Sequence, residues 1–216
     1  MTEPGKKNGC FFYGLITAVA LAVIFLASAM LGYRYAKQTI AQFSDAKPAP
    51  LAAPQLTEPE IADLRGRIAA FGELLNSTKP AEPLALTSDE VNALIAIEPD
   101  LKSFRGKWRV NFTNDRFNAK ISIPAEELEM EHLQGRYINA SGAFTIVLKD
   151  GALHVNPISL VTSKDKPLPA AVMRKFQLEN FAAQLNSVTN LRKAFIRLQS
   201  IEVKNGKLLI VPKKVR

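Results

Sequence analysis

The chain has 216 residues, a formal net charge of +8, a pI near 9.6 and 47% hydrophobic residues. That apolar content excludes a disordered chain, and the length suits one domain of ordinary size with a short appendage. The single cysteine, Cys10, excludes a disulfide framework.

Residues 1–10 read as a short polar tail. From Phe11 to Tyr33 the chain carries no charge over 23 residues. As a helix rising 1.5 Å per residue, that run is long enough to cross a hydrocarbon core of about 30 Å. A cleaved signal peptide is the competing reading, with Ala27-Ser28-Ala29 as a small-x-small site. Its apolar region would be shorter, roughly 7–15 residues. Here the run continues to Tyr33, which favours an uncleaved anchor. Cys10 precedes the run, contrary to a lipoprotein. Lys6 and Lys7 before the span nearly balance Arg34 and Lys37 after it, so the positive-inside rule specifies orientation weakly. The expected placement is a cytoplasmic tail, a single pass through the cytoplasmic membrane and an extracytoplasmic C-terminal domain. A cysteine-free exported domain suits that placement.

Residues 34–56, rich in Pro and Ala, read as a linker, and residues 57–216 as the domain. Thr57-Glu58-Pro59-Glu60 fits a capping box. The helix it opens places Ile61, Leu64, Ile68, Phe71 and Leu75 in one stripe. Two readings fit the stripe: packing on the domain's own sheet, or a short coiled coil beside the membrane. A second box, Thr87-Ser88-Asp89-Glu90, opens a helix burying Val91, Leu94 and Ile95, and Pro99 closes it.

The pattern then changes to period two. Trp108, Val110 and Phe112 alternate, Asn114-Asp115 turns, and Phe117, Ala119, Ile121 and Ile123 return. After the polar stretch AEELEMEHLQ, a longer hairpin runs from Arg136 to about Val161 and turns at Asp150-Gly151. From Ala143 to Leu148 both faces carry apolar residues. This strand is either covered on both sides or has one face on an apolar groove. An amphipathic helix from Ala170 to Asn186, a helical segment near Leu191 and a third hairpin from Ile201 to Val211 around Asn205-Gly206 complete the chain. The fold class is α+β: an N-terminal transmembrane helix, then an antiparallel, hairpin-built sheet of six strands with helices packed on one face.

Chemistry is sparse. His132 and His154 lack partners at metal-ligand spacing, so no metal or cofactor is expected. Glu126, Glu127, Glu129 and Glu131 near His132 read as a solvated face. No nucleophile–base pair, phosphate loop or dinucleotide fingerprint appears, so the chain is read as non-enzymatic. Three glycosylation triplets begin at Asn76, Asn111 and Asn139, two of them inside expected strands.

The span, then LTSDEVNALI at Leu86 to Ile95, a hairpin-rich sheet, and Pro167-Leu168-Pro169 before an amphipathic helix together resemble the YpmS-type bacterial single-span envelope proteins. In outline they are also similar to envelope lipid-associated proteins and tubular lipid-binding folds. The resemblance covers roughly residue 84 to the C-terminus. It implies a long curved antiparallel sheet around helices, with an apolar interior for an acyl chain. It implies no catalytic residue.

The expected function is a membrane-anchored protein that binds lipid or another apolar ligand. Phe144, Ile146, Leu148, Val172, Phe176 and Phe181 would line the groove. Lys204, Lys207, Lys213 and Lys214 would meet headgroup phosphates, or merely keep an edge hairpin soluble. Lipid headgroups are the nearest anionic surface; nucleic acid is not expected, for want of a binding motif. The alternative is an assembly subunit contacting a second copy or an envelope partner through the span and the Ile61–Leu75 stripe, with a solid interior.

Overall fold

Three two-residue turns set the frame. Asn114-Asp115, Asp150-Gly151 and Asn205-Gly206 hold both residues at positive φ, the turn geometry whose twist matches paired strands. They join β2 (Trp108–Thr113) to β3 (Arg116–Pro124), β4 (Tyr137–Lys149) to β5 (Ala152–Thr162), and β6 (Leu198–Lys204) to β7 (Lys207–Pro212). In this computed structural model the described residues are 24–26, 28–34, 40, 42–77, 79–130 and 133–214.

The expected single sheet is two. Strands β2-β3-β4-β5 form one antiparallel sheet, and β1 (Leu84–Leu86) pairs with β7 in a second, ordered β1-β7-β6. Strand β1 has three residues, too few for alternation to announce it. Helices α1 (Glu58–Asn76) and α2 (Ser88–Ile97) start at the two capping boxes. Leu64 of α1 is buried with Leu86 and Ala93, and Ile68, Val91, Leu94, Leu208 and Ile210 pack around them. The centre of the α1 stripe therefore lies on the domain's own second sheet.

Alternation in the larger sheet puts Trp108, Val110, Phe112, Phe117, Ile121 and Phe144 on a buried inner face. Of the two readings of β4, the one-sided reading holds. Phe144, Ile146 and Leu148 face inward, whereas Val147 on the outer face is 50% exposed. The strand still lies between β3 and β5. A register shift after Ala143 leaves Ile158 as an extra residue on β5. Beside it, a Cβ on Gly142 would sit 1.9 Å from the Ser159 carbonyl oxygen. Only glycine permits that approach.

The expected helix from Ala170 to Asn186 is broken. Helix α3 (Ala170–Leu178) ends with Glu179 in an extended conformation, and α4 (Ala183–Ser187) follows. The break serves the edge of β5. The Asn180 Oδ1 accepts from Val155 N (3.0 Å), its Nδ2 donates to Leu153 O (2.9 Å), and Phe181 N donates to Val155 O (3.0 Å). A continuous helix would keep the Phe181 N–H for its own ladder. Helix α5 (Thr189–Arg197) then leads into β6.

The expected linker 34–56 is corrected in its second half. The folded body begins at Phe43. Phe43 and Ser44 are buried, and Asp45 bridges Tyr137 through two backbone hydrogen bonds of 2.8 and 2.9 Å. Ala49 N donates to Ser122 Oγ and to Asn139 Oδ1, both at 3.0 Å, and Arg109 Nη1 donates to Ala52 O at 2.6 Å. Residues 43–52 thus form a strap pinned to the outer, polar face of the larger sheet.

The tail 1–10 and residues 11–23 of the expected span lie outside the described residues. Residues 24–26 and 28–34 are helical, with Phe25, Leu31 and Tyr33 exposed. Among the described residues no helix is long and apolar enough to cross a membrane.

Candidate functional site

The inner face of the larger sheet carries a chain of aromatic rings. Phe112, Phe117 and Phe144 follow one another at centroid distances of 5.8 Å, and Trp108 touches Phe144 and Phe181 at 5.3 Å each. Phe181 also meets Phe176 at 5.7 Å. These spacings lie within the range of favourable edge-to-face and tilted contacts.

The rings do not fill the space completely. An apolar slot of about 150 Å³ remains between this face, Val91 and Ile95 of α2, the 3-10 segment Pro99–Phe104, and Ala182 and Leu185 at the start of α4. No charged side chain lines it. The capping box aims α2 at the slot: Thr87 N donates to Glu90 Oε2 (2.7 Å) and Glu90 N to Thr87 Oγ1 (3.2 Å). Arg67 donates to Glu90 Oε1 at 2.6 Å. Burial pushes the Glu90 carboxyl up, but the Thr87 N–H and the Arg67 charge outweigh it and hold it below its usual range.

The six residues expected to line a groove separate into groups. Ile146 and Phe181 line the slot, and Phe144 stands beside them in ring contact. Phe176 is wholly buried behind Phe181. Leu148 lies at the far end of β4, with Gly151, Ile196 and Leu198. Val172 is half-buried on α3 and does not line the slot. Among the lining residues that sequence reasoning missed are Trp108, Phe104 and Leu185. The unique tryptophan on the apolar side of an alternating strand was the available signal. Nothing in the sequence brings α2 and α4 over the same patch of sheet.

The four lysines do not form one surface. Lys204 and Lys207 are cross-strand partners flanking the Asn205-Gly206 turn. Lys213 and Lys214 follow Pro212 at the other end of β7, about 20 Å along the strand. Lys213 is also engaged, its Nζ donating to Ile196 O (2.7 Å) at the end of α5. Nearby, Arg197 donates to Leu75 O (2.7 Å) and to Asn76 Oδ1 at the end of α1. Both cations meet the negative ends of helices. The four lysines thus stand as two pairs at different ends of the hairpin.

His154 is on the outer side of β5, opposite Val147. Glu131 and His132 lie outside the described residues. Comparison with family models, characterised proteins and solved structures finds no match to this chain.

Proposed function

We propose that this is a membrane-anchored, non-enzymatic envelope protein whose extracytoplasmic domain takes an apolar group, such as a segment of a lipid chain, into the slot beside Trp108. The charge-free run from Phe11 to Tyr33 supports the anchor. The slot supports the ligand class: an unfilled apolar space among aromatic side chains forgoes dispersion contacts that an apolar guest would supply.

The volume limits the guest. A space of about 150 Å³ is the size of an engineered cavity that takes up benzene. The slot as it stands accepts a ring or a few methylenes, and a whole acyl chain would require α2 and α4 to part. The small volume also favours a second reading, in which the domain is an assembly subunit and the guest is an apolar side chain of a partner.

Trp108 is the sole tryptophan, so its fluorescence reports the slot directly. Full-length protein in phosphatidylcholine nanodiscs is titrated with fatty acids and lysolipids of increasing length. The lipid reading expects a saturable change in Trp108 emission, absent in an Ile146→Phe variant that fills the space. An emission spectrum indifferent to every lipid would leave the partner reading in its place.

A further inference from the structure

The outer face of the larger sheet has a chemistry opposite to the slot. Along β2, β3, β4 and β5 its side chains include Arg109, Arg116, Lys120 and Lys149, and not one carboxylate. Between the strap at Pro50–Ala52, the start of α2 and the Gly206 turn, this face forms an open groove of about 870 Å³. Arg109, Asn111, Asn118, Lys120 and Ser141 supply polar groups from the sheet, and Thr87, Ser88 and one carboxylate, Asp89, supply them from the start of α2.

One pair of like charges within the groove, and a second on the turn beside it, work against the fold. Arg109 and Lys120 are directly opposite each other across β2 and β3. Lys204 and Lys207 are directly opposite across β6 and β7, flanking the glycine that lines the groove. Like charges opposite one another on a sheet destabilise it. Arg109 has partial relief, from Ala52 O and from Asp89 Oδ1 at 3.6 Å. Lys120 is exposed and makes no ion pair among the described residues. An anion between the members of each pair would convert both repulsions into attractions.

We propose that this groove binds a soluble anionic chain bearing phosphate groups, with Lys120 and Arg109 as its central contacts and Lys204 and Lys207 at its mouth. The recessed shape, walled by the strap and α2, suits a chain that enters it better than a flat bilayer surface. No aromatic side chain lines the groove, so nucleic-acid bases have no stacking platform. The proposal goes beyond the apolar slot and is independent of it, because the two lie on opposite faces of the sheet.

The test uses full-length protein in phosphatidylcholine nanodiscs, with short-chain inorganic polyphosphate as the probe. Binding is expected to weaken steeply with salt. Lys120→Glu, and separately Lys204→Glu with Lys207→Glu, should each reduce affinity about tenfold or more. Lys213→Gln with Lys214→Gln should leave it unchanged. Lys120→Gln controls for folding: removing the repulsion with Arg109 should leave thermal stability equal or higher while binding falls. An oligonucleotide of matched charge should bind no tighter than polyphosphate. The Ile146→Phe variant should bind polyphosphate normally, so the slot and the groove fail separately. The proposal is overturned by absence of polyphosphate binding, by equal losses in all lysine variants, or by strong preference for the oligonucleotide. Recruitment of phosphatidylglycerol vesicles through Lys120, without polyphosphate binding, would overturn it in favour of a membrane-docking face.

Discussion

Three asparagines close the edges of the larger sheet. Asn92 of α2, itself buried, accepts from Val110 N and donates to Val110 O, both at 2.9 Å. Asn180 and Asn186 do the same for Leu153 and Val155 on the opposite edge. Ser88 Oγ adds an acceptor for Phe112 N at 2.8 Å. Edge strands left open recruit other strands, and these side chains occupy the bonding positions such strands would use. Asn92→Ala should therefore cost about 2–3 kcal/mol, since it strands a buried N–H and C=O together. Urea denaturation measures this, and a loss under half a kilocalorie would deny Asn92 its edge role. Gly142→Ala should cost a similar or larger amount, because the new methyl meets the Ser159 carbonyl and the bulge must shift. A melting temperature unchanged by that substitution would contradict the close approach. Neither residue announces its role in the sequence. Asn92 reads there as one more polar position on a helix, and only the docking of α2 gives it a strand edge to bond.

The strap and the broken helix pair are the elements that depend most on distant partners. Burial pushes the Asp45 carboxyl up, but hydrogen bonds from Ser163, Lys164 and Asn139 and the Lys164 charge together outweigh it, and the net shift is downward. A carboxyl lowered in the folded state adds stability that is present above its unfolded value, near 4, and lost as pH falls through the folded value. Docking of residues 43–52 should accordingly be constant near neutrality and weaken below about pH 4. Hydrogen exchange at Ala49 against pH measures this. Asp45→Asn should flatten the profile, and an identical profile in the variant would exclude Asp45 as the titrating group. Glu179, at the break between α3 and α4, shifts the other way: burial raises its carboxyl, Lys175 lowers it and Glu129 raises it. Ionising it at neutral pH therefore works against folding. Glu179→Gln should stabilise the domain above the usual carboxylate range and confer no advantage in acid. Thermal melts at pH 7 and pH 3 compare the two, and destabilisation at pH 7 would contradict the burial argument. The two capping boxes and the three turns were legible in the sequence because each is complete within four residues. The strap was not. Its Pro/Ala composition resembles a free linker, and its partners Ser122, Asn139 and Ser163 are roughly seventy to more than a hundred residues away.

At the scale of the whole chain, the position of the strap redraws the domain. A fragment starting at Phe43 should melt cooperatively, whereas one starting at Thr57 should be less stable and more prone to self-associate, because Ser122 and Asn139 lose their partners on the strap and keep only each other. Circular dichroism melts and sedimentation of both fragments test this; equal stability would return residues 43–56 to the role of linker. The sequence by itself determined the charge-free run, the starts of α1 and α2, the hairpin turns and the inner face of β2 and β3. Those features rest on local propensity and on periods of two and 3.6, which short windows of chain already contain. Only the tertiary structure decided that the strands divide into two sheets, that the expected long helix breaks to bond β5, and that α2 and α4 leave a slot beside Trp108. Each of these is a meeting of segments far apart in sequence, and no local pattern records which apolar stripe meets which.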